Sequence, residues 1–237
     1  MRLQKYMAMM GIASRRKCER LIEQGKVTVN SVTVTEMGFQ IDPDKDIITF
    51  NNKRIAGKPL RRTFLLYKPI GVISSASDPY GRTTVVEMLP RNERLYPVGR
   101  LDYLTSGAIL LTNDGELALQ LTHPRYETQK TYHAWLKGTI DREAMESFEK
   151  GIHIDDFVTS PADIKILKKG NNRCLVEIIL REGRNRQIRK MCDALGYPVM
   201  RLKRVAIGSI TLGELKPGEW RELSGNEIKQ LLKDSMK

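Results

Sequence analysis

The sequence predicts an α+β protein in two domains, a small basic N-terminal one and a larger mixed one, on three observations. The first is length: 237 residues exceed the ~100–150 that a single core usually takes. The second is an alternation, beyond residue 60, of short β-like runs with amphipathic stretches. The third is charge placement within a formal net charge of +12. Residues 1–62 hold thirteen Lys and Arg against six acids, a net +7, and residues 181–204 hold eight against two, a net +6, so the remainder is close to neutral. Two such patches suit a polyanion, because each cation that neutralises a phosphate releases a condensed counterion.

Composition excludes several classes. With 41% hydrophobic and 29% charged residues, the chain can fill a core and shows no low-complexity bias. No apolar run approaches the ~18 residues of a membrane span. The opening Met1-Arg2-Leu3-Gln4-Lys5 runs into an amphipathic pattern rather than a secretory leader, so the expected location is the cytoplasm. Cys18, Cys174 and Cys192 are odd in number and set among apolar neighbours, which predicts reduced core thiols. His123, His133 and His153 lack ligand spacing, so no metal is expected and each is assigned a structural role.

The N-terminal pattern over residues 2–10 ends at Gly11. Ser14 then offers an N-cap to a second helix, which points Cys18, Leu21 and Ile22 inward and stops at Gly25. Val27, Val29, Val32 and Val34 flank Asn30-Ser31 as a small hairpin. Arg2, Lys5, Arg15, Arg16, Lys17 and Arg20 cluster on the helices before it. Residues 51–62 carry Gly, Pro and five cations with little periodicity, which predicts a basic linker and a boundary near residue 60. Further on, strands are expected over 64–67, 108–111, 131–136, 173–180 and 199–207, with helices near 115–122, 141–150 and 185–195. A capping box, Ser224 with Glu227, predicts a terminal helix packed on the larger domain.

Two segments carry chemistry. Val98-Gly99-Arg100-Leu101-Asp102-Tyr103-Leu104-Thr105-Ser106-Gly107 presents an acid on a loop ahead of a buried run. Functional groups concentrate on such loops, although Asp also favours them because it caps backbone amides. Arg181-Glu182-Gly183-Arg184-Asn185-Arg186-Gln187-Ile188-Arg189-Lys190 leads into a helix whose inward face is Ile188, Met191, Cys192 and Leu195. This places Arg184 at a helix start, where anions are favoured. Arg189 and Lys190 read as solvated cations.

Residues 13–16 and 25–30, Ala-Ser-Arg-Arg and Gly-Lys-Val-Thr-Val-Asn, resemble the S4 (αL-type) RNA-binding domain, with Ser31 where Gly is more usual. The whole chain resembles the pseudouridine synthases of the RsuA and RluB type. The resemblance rests on Leu66-Tyr67-Lys68-Pro69-Ile70-Gly71-Val72, Gly99-Arg100-Leu101-Asp102 with Thr105-Ser106-Gly107, and Leu111-Thr112-Asn113-Asp114-Gly115-Glu116-Leu117. It continues in His123-Pro124-Arg125-Tyr126 with Lys130-Thr131-Tyr132, and in Glu182-Gly183-Arg184 with Gln187-Ile188-Arg189. Leu104, where many members carry a polar or acidic residue, and Arg186, where some carry His, depart from the pattern at positions that bear on substrate choice.

This resemblance implies an S4 domain over about 1–60 and a mainly antiparallel-sheet catalytic domain over 61–237. It implies isomerisation of uridine to pseudouridine in ribosomal RNA, large-subunit (23S) by preference and small-subunit as runner-up, with no cofactor. The enzyme is expected to act as a monomer on a structured stem-loop. Asp102 is implied as the catalytic carboxylate, paired with Arg184, and Tyr132 as the platform under the base. Ile188 packs beneath the site, Arg100 fills the gap left by the displaced base, and Lys68 and Arg186 contact substrate. The six N-terminal cations would hold RNA. Asp102 could attack C1′ or remove a sugar proton, and both routes need a carboxylate. The competing reading is a noncatalytic RNA-binding assembly factor. A glycosidase is disfavoured, since no second acid stands in a comparable context.

Overall fold

The computed structural model describes residues 1–57, 60–90 and 94–235. The chain forms two compact units, one built on Met1–Arg61 and one on Arg62–Arg91, Leu95–Thr112 and Glu116–Lys237.

In the first unit, helices α1 (Leu3–Met9) and α2 (Arg15–Glu23) precede β1 (Val27–Val29), β2 (Val32–Thr33), β3 (Ile48–Phe50) and β4 (Lys53–Ile55), an antiparallel sheet of order β2-β1-β3-β4. Ser14 caps α2 by accepting a hydrogen bond from the Lys17 amide at 3.2 Å. Leu3, Met7, Cys18, Ile22, Val27 and Ile48 meet in one small core. The β1–β2 turn passes through Asn30 and Ser31, both left-handed with φ of 51° and 67°, the mirror-type turn that matches strand twist. Ser31 adopts this conformation without being glycine. The expected linker over 51–62 is in part a strand: β4 pairs with β3 through a turn at Asn51 and Asn52. Its two cations are exposed and only Ile55 enters the core, which is why so short an edge strand reads as linker. Lys58 and Pro59, in the same expected linker, lie outside the described residues.

The second unit contains β5 (Thr63–Lys68), β6 (Tyr96–Val98), β7 (Thr105–Thr112), α3 (Gly115–Thr122), β8 (Lys130–Lys137), α4 (Arg142–Lys150), β9 (His153–Ile154) and β10 (Phe157–Val158). It continues with β11 (Asp163–Gly170), β12 (Arg173–Leu180), α5 (Gln187–Ala194), β13 (Val199–Ile207), β14 (Ile210–Thr211), β15 (Trp220–Glu222) and α6 (Gly225–Asp234). Its large sheet has the order β11-β12-β8-β13-β7-β5-β15, with β14 on β13 and β6 on β7. The pairs are antiparallel except β7 with β13. The fold is therefore α+β, as the sequence predicts, with the mixed, mainly antiparallel sheet that the resemblance implies.

Both faces of the sheet are covered. Phe64, Leu66, Ile109 and Leu111 share a core with Phe148 of α4 and Met191 of α5. Leu65, Ala108 and Leu110, their neighbours along the same strands, pack with Leu117 and Leu121 of α3 and Leu231 of α6. Burial on both faces explains why these strands read as unbroken apolar runs. The capping box of Ser224 and Glu227 starts α6. Where β7 meets β13, Gly107 has φ +115°, and a Cβ there would lie 2.1 Å from the Arg204 carbonyl oxygen. Glycine is what lets the two backbones touch. The three cysteines are buried free thiols, and no helix among the described residues is long and apolar enough to cross a membrane.

Candidate active site

Asp102 lies on the loop between β6 and β7, and the loop is fixed from several sides. The Ser74 hydroxyl donates to the Leu101 carbonyl at 2.8 Å and accepts from the Leu101 amide at 3.0 Å. The Thr105 amide donates to the Asp102 carbonyl at 3.0 Å, closing a turn whose corner residues Tyr103 and Leu104 are exposed. Two buried cations hold this turn. Lys68 Nζ donates to the carbonyls of Thr105 and Pro69, each at 2.9 Å. Arg189 donates to the carbonyls of Leu104 at 3.1 Å and Val199 at 3.2 Å. Burial pushes the Lys68 ammonium down to about 8, and burial likewise lowers the Arg189 pKa, with Arg186 adding to the effect. In both cases the charge of Asp102 works in the opposite direction, so the carboxylate favours the charged form of each cation.

Two expectations are corrected by this arrangement. Lys68, expected at the substrate, lies beneath the turn instead: its side chain is fully buried, its ammonium is engaged by two carbonyls, and it does not line the cleft described next. Arg189 is not solvated, being only 9% exposed. Its position three residues before Cys192, on the inward side of α5, was the available signal.

A cleft of about 490 Å³ opens beside the turn, within the range of small-molecule and cofactor sites. Asp102, Arg100, Tyr132, Arg184, Arg186 and Ile188 all line it, so residues from three distant segments converge. Tyr132 belongs to β8, between Ile178 of β12 and Arg204 of β13 in register, and is 9% exposed. Ile188, Leu180, Leu202 and Ile207 supply buried apolar walls. Asp102 is half-buried, whereas Arg184 and Arg186 are exposed.

Arg184 departs from the expected pairing. Its Nε donates to Glu182 Oε2 at 3.4 Å and its guanidinium lies 3.9 Å from the Phe157 ring centroid. No cation among the described residues comes within ion-pair distance of Asp102. Helix α5 begins only at Gln187, and Arg186, at φ 53°, is its N-cap residue, so Arg184 precedes the helix instead of opening it. Glu182 is itself fixed, accepting from the Ser160 amide at 2.9 Å and from Gln187 Nε2 at 2.6 Å. Burial pushes its carboxyl up, but hydrogen bonds from Ser160, Gln187 and Arg184 outweigh burial and hold it below the ordinary value.

Three more cleft residues were not singled out by sequence reasoning. Arg204 is buried, with Nε donating to the Ala108 carbonyl at 2.7 Å and Nη2 without a partner among the described residues. Lys130 lines the cleft, and its ammonium is lowered to about 8, first by burial and then by Arg204. His123, assigned a structural role above, also lines the cleft. In the first unit, Arg2, Arg15, Arg16, Lys17 and Arg20 are exposed and Lys5 is half-buried. None of the six forms an ion pair among the described residues.

Comparison with known proteins agrees with this fold. Residues 62–194 match the RNA pseudouridylate synthase family, and residues 1–47 match the S4 domain. The chain is 45% identical over 233 residues to the ribosomal large subunit pseudouridine synthase B of Bacillus subtilis, covering 97% of this chain and 95% of that one. It is 41% identical over 235 residues to an uncharacterized RNA pseudouridine synthase of Aquifex aeolicus, covering 98% and 94%. A crystal structure of a pseudouridylate synthase superposes with a TM-score of 0.71 at 30% identity, over 98% of this chain and 99% of that one.

Proposed function

The chain belongs to the RNA pseudouridylate synthase family, and from that premise we propose that it isomerises a uridine of large-subunit ribosomal RNA, with Asp102 as the reacting carboxylate. The substrate follows the Bacillus subtilis relative, which acts on the large ribosomal subunit by name. The observation that carries the proposal is the convergence of Asp102, Tyr132, Arg184 and Ile188 on one cleft.

The reaction breaks N1–C1′, turns the ring and joins C5 to C1′, with no net redox change. None of this is possible within a stacked helix, so the nucleotide must be everted into the cleft, at a cost of a few kcal/mol. Stacking on Tyr132 offsets part of that cost, and Ile188 with its apolar neighbours closes the space around the base. Arg100, beside Asp102, is suited to the gap left in the RNA. Attack on C1′ and removal of a sugar proton both start from an ionised carboxylate. Lys68 and Arg189 hold the backbone of the turn that carries it, through the carbonyls of Thr105 and Leu104. Arg184 and Arg186 stand exposed for phosphate, and Arg184 lines the same cleft as Asp102 while resting on Glu182 and Phe157.

The N-terminal unit, about residues 1–60, would supply affinity for a structured stem-loop through Arg2, Lys5, Arg15, Arg16, Lys17 and Arg20. The catalytic unit occupies 61–237. We assign the enzyme to the cytoplasm as a monomer, in keeping with its ribosomal target and with a cleft formed by one chain. The test is pseudouridine mapping at single-nucleotide resolution on ribosomal RNA from cells with and without the gene. One large-subunit uridine should lose its modification in the deletion strain. A loss confined to small-subunit RNA overturns the substrate assignment, and no loss at any site favours a noncatalytic RNA-binding factor.

A further inference from the structure

The turn that presents Asp102 also presents an apolar rim that the mechanism leaves unused. Tyr103 and Leu104, its corner residues, are 51% and 56% exposed, and Ile70 and Tyr80 are 54% and 81% exposed. They belong together. The Gly71 amide donates to the Tyr103 carbonyl at 3.0 Å, and a Cβ placed on Gly71 would lie in ordinary contact with the Tyr103 hydroxyl, at 3.8 Å. The Arg82 guanidinium lies 5.3 Å from the Tyr80 ring centroid, and the segment that carries both is tied back to the strand end beside Gly71 by the Ile73 amide, which donates to the Thr83 carbonyl at 3.0 Å. Large apolar side chains exposed side by side mark an interaction surface more often than chance exposure does.

The chemistry of the rim says what it fits. The cation beside it is already neutralised, because Arg82 donates to Asp78 at 2.7 and 3.1 Å. Asp78 also accepts from the Tyr80 and Arg82 amides at 3.1 and 3.0 Å, so the loop is pre-shaped and Tyr80 is held out from it. A neutral aromatic surface suits the face of a base, whereas the exposed Arg184 and Arg186 of the cleft suit phosphates. Tyr103 follows Asp102 directly on the same turn.

We infer that Tyr80 and Tyr103, with Ile70 and Leu104 beside them, form a stacking surface for the nucleotides that flank the everted uridine; this rests on the function proposed above. The probe is an RNA hairpin containing the mapped uridine, with 2-aminopurine immediately 5′ of it in one version and immediately 3′ in another. Wild type and the variants Tyr80→Phe and Tyr103→Phe should quench the fluorescence of one probe on binding. Tyr80→Leu and Tyr103→Leu, which keep apolar bulk and remove the ring, should lose the quenching and weaken binding about tenfold each. Equal quenching and affinity in the Leu variants overturns the inference, as does equal loss in the Leu and Phe variants. If the wild type quenches the probe but forms no pseudouridine in it, the surface stands and the proposed reaction fails.

Discussion

The two units handle positive charge in opposite ways. On α1 and α2 the cations are mostly turned to solvent and none is ion-paired among the described residues, so each can meet a phosphate and none is tied to one geometry. Beneath the Asp102 turn and the cleft floor, by contrast, three cations are enclosed, while Arg100, Arg184 and Arg186 at the cleft stay exposed: Lys68 and Arg189 are bonded to backbone carbonyls, and Arg204 is fixed to the Ala108 carbonyl. Solvated charge supplies graded, salt-dependent affinity. Enclosed charge fixes one loop and one carboxylate, and works only if the backbone beneath it is in place. Substitutions in the first unit should therefore produce proportionate losses, and substitutions in the second abrupt ones.

The sharpest break should come at Gly107, where an added Cβ meets the Arg204 backbone at 2.1 Å. Gly107→Ala should cost about 3 kcal/mol of stability, through overpacking and an unfavourable φ, as read by chemical denaturation. A loss below about 0.5 kcal/mol would show that β7 and β13 have room to separate. Next in size, replacing Arg15 and Arg16 together by Ala should weaken RNA binding about equally for different RNA sequences. It should also reduce the slope of log K against log salt by about 0.7–0.9 for each phosphate no longer neutralised; an unchanged slope would remove these two residues from the interface.

A smaller effect is expected at Lys130, whose ammonium titrates near 8. Below that pH the cleft carries its charge, and above it the charge is lost, so wild-type KM for RNA should rise between about pH 7.5 and 9. Lys130→Arg keeps the charge throughout and should flatten that rise, and identical profiles for the two enzymes would contradict the assignment. The smallest change is Ser31→Gly. Relief of the left-handed Ser31 should stabilise the first unit by about 0.5–1 kcal/mol, measurable by thermal unfolding, and a destabilised variant would mean that Ser31 is held by more than its backbone.

How far the sequence carried this comparison depends on the reach of the signal. The cap at Ser14, the runs at β5, β7, β8, β12 and β13, and the box opening α6 were legible because periodicity and capping are local. β4 was not, with two exposed cations and one inward Ile. β11 was also missed, because a bulge between Ile166 and Lys168 interrupts its alternation. The candidate site divides in the same way. Motifs brought Asp102, Tyr132, Arg184 and Ile188 to notice, but the partners of each depend on packing between segments far apart in the chain. Hence Lys68 was assigned to substrate while lying beneath the turn, Arg184 was paired with Asp102 while resting on Glu182 and Phe157, and the burial of Arg189 went unseen.

The most direct test of the central claim is a single substitution, Asp102→Asn, assayed for both RNA affinity and pseudouridine formation on the mapped substrate. The shape of the side chain is kept and its charge removed, so binding should stay near the wild-type value while turnover falls by about 10³-fold or more. Pseudouridine formed by Asp102→Asn at the wild-type rate would contradict the account, since the cleft would then be doing its chemistry without the carboxylate it is built around.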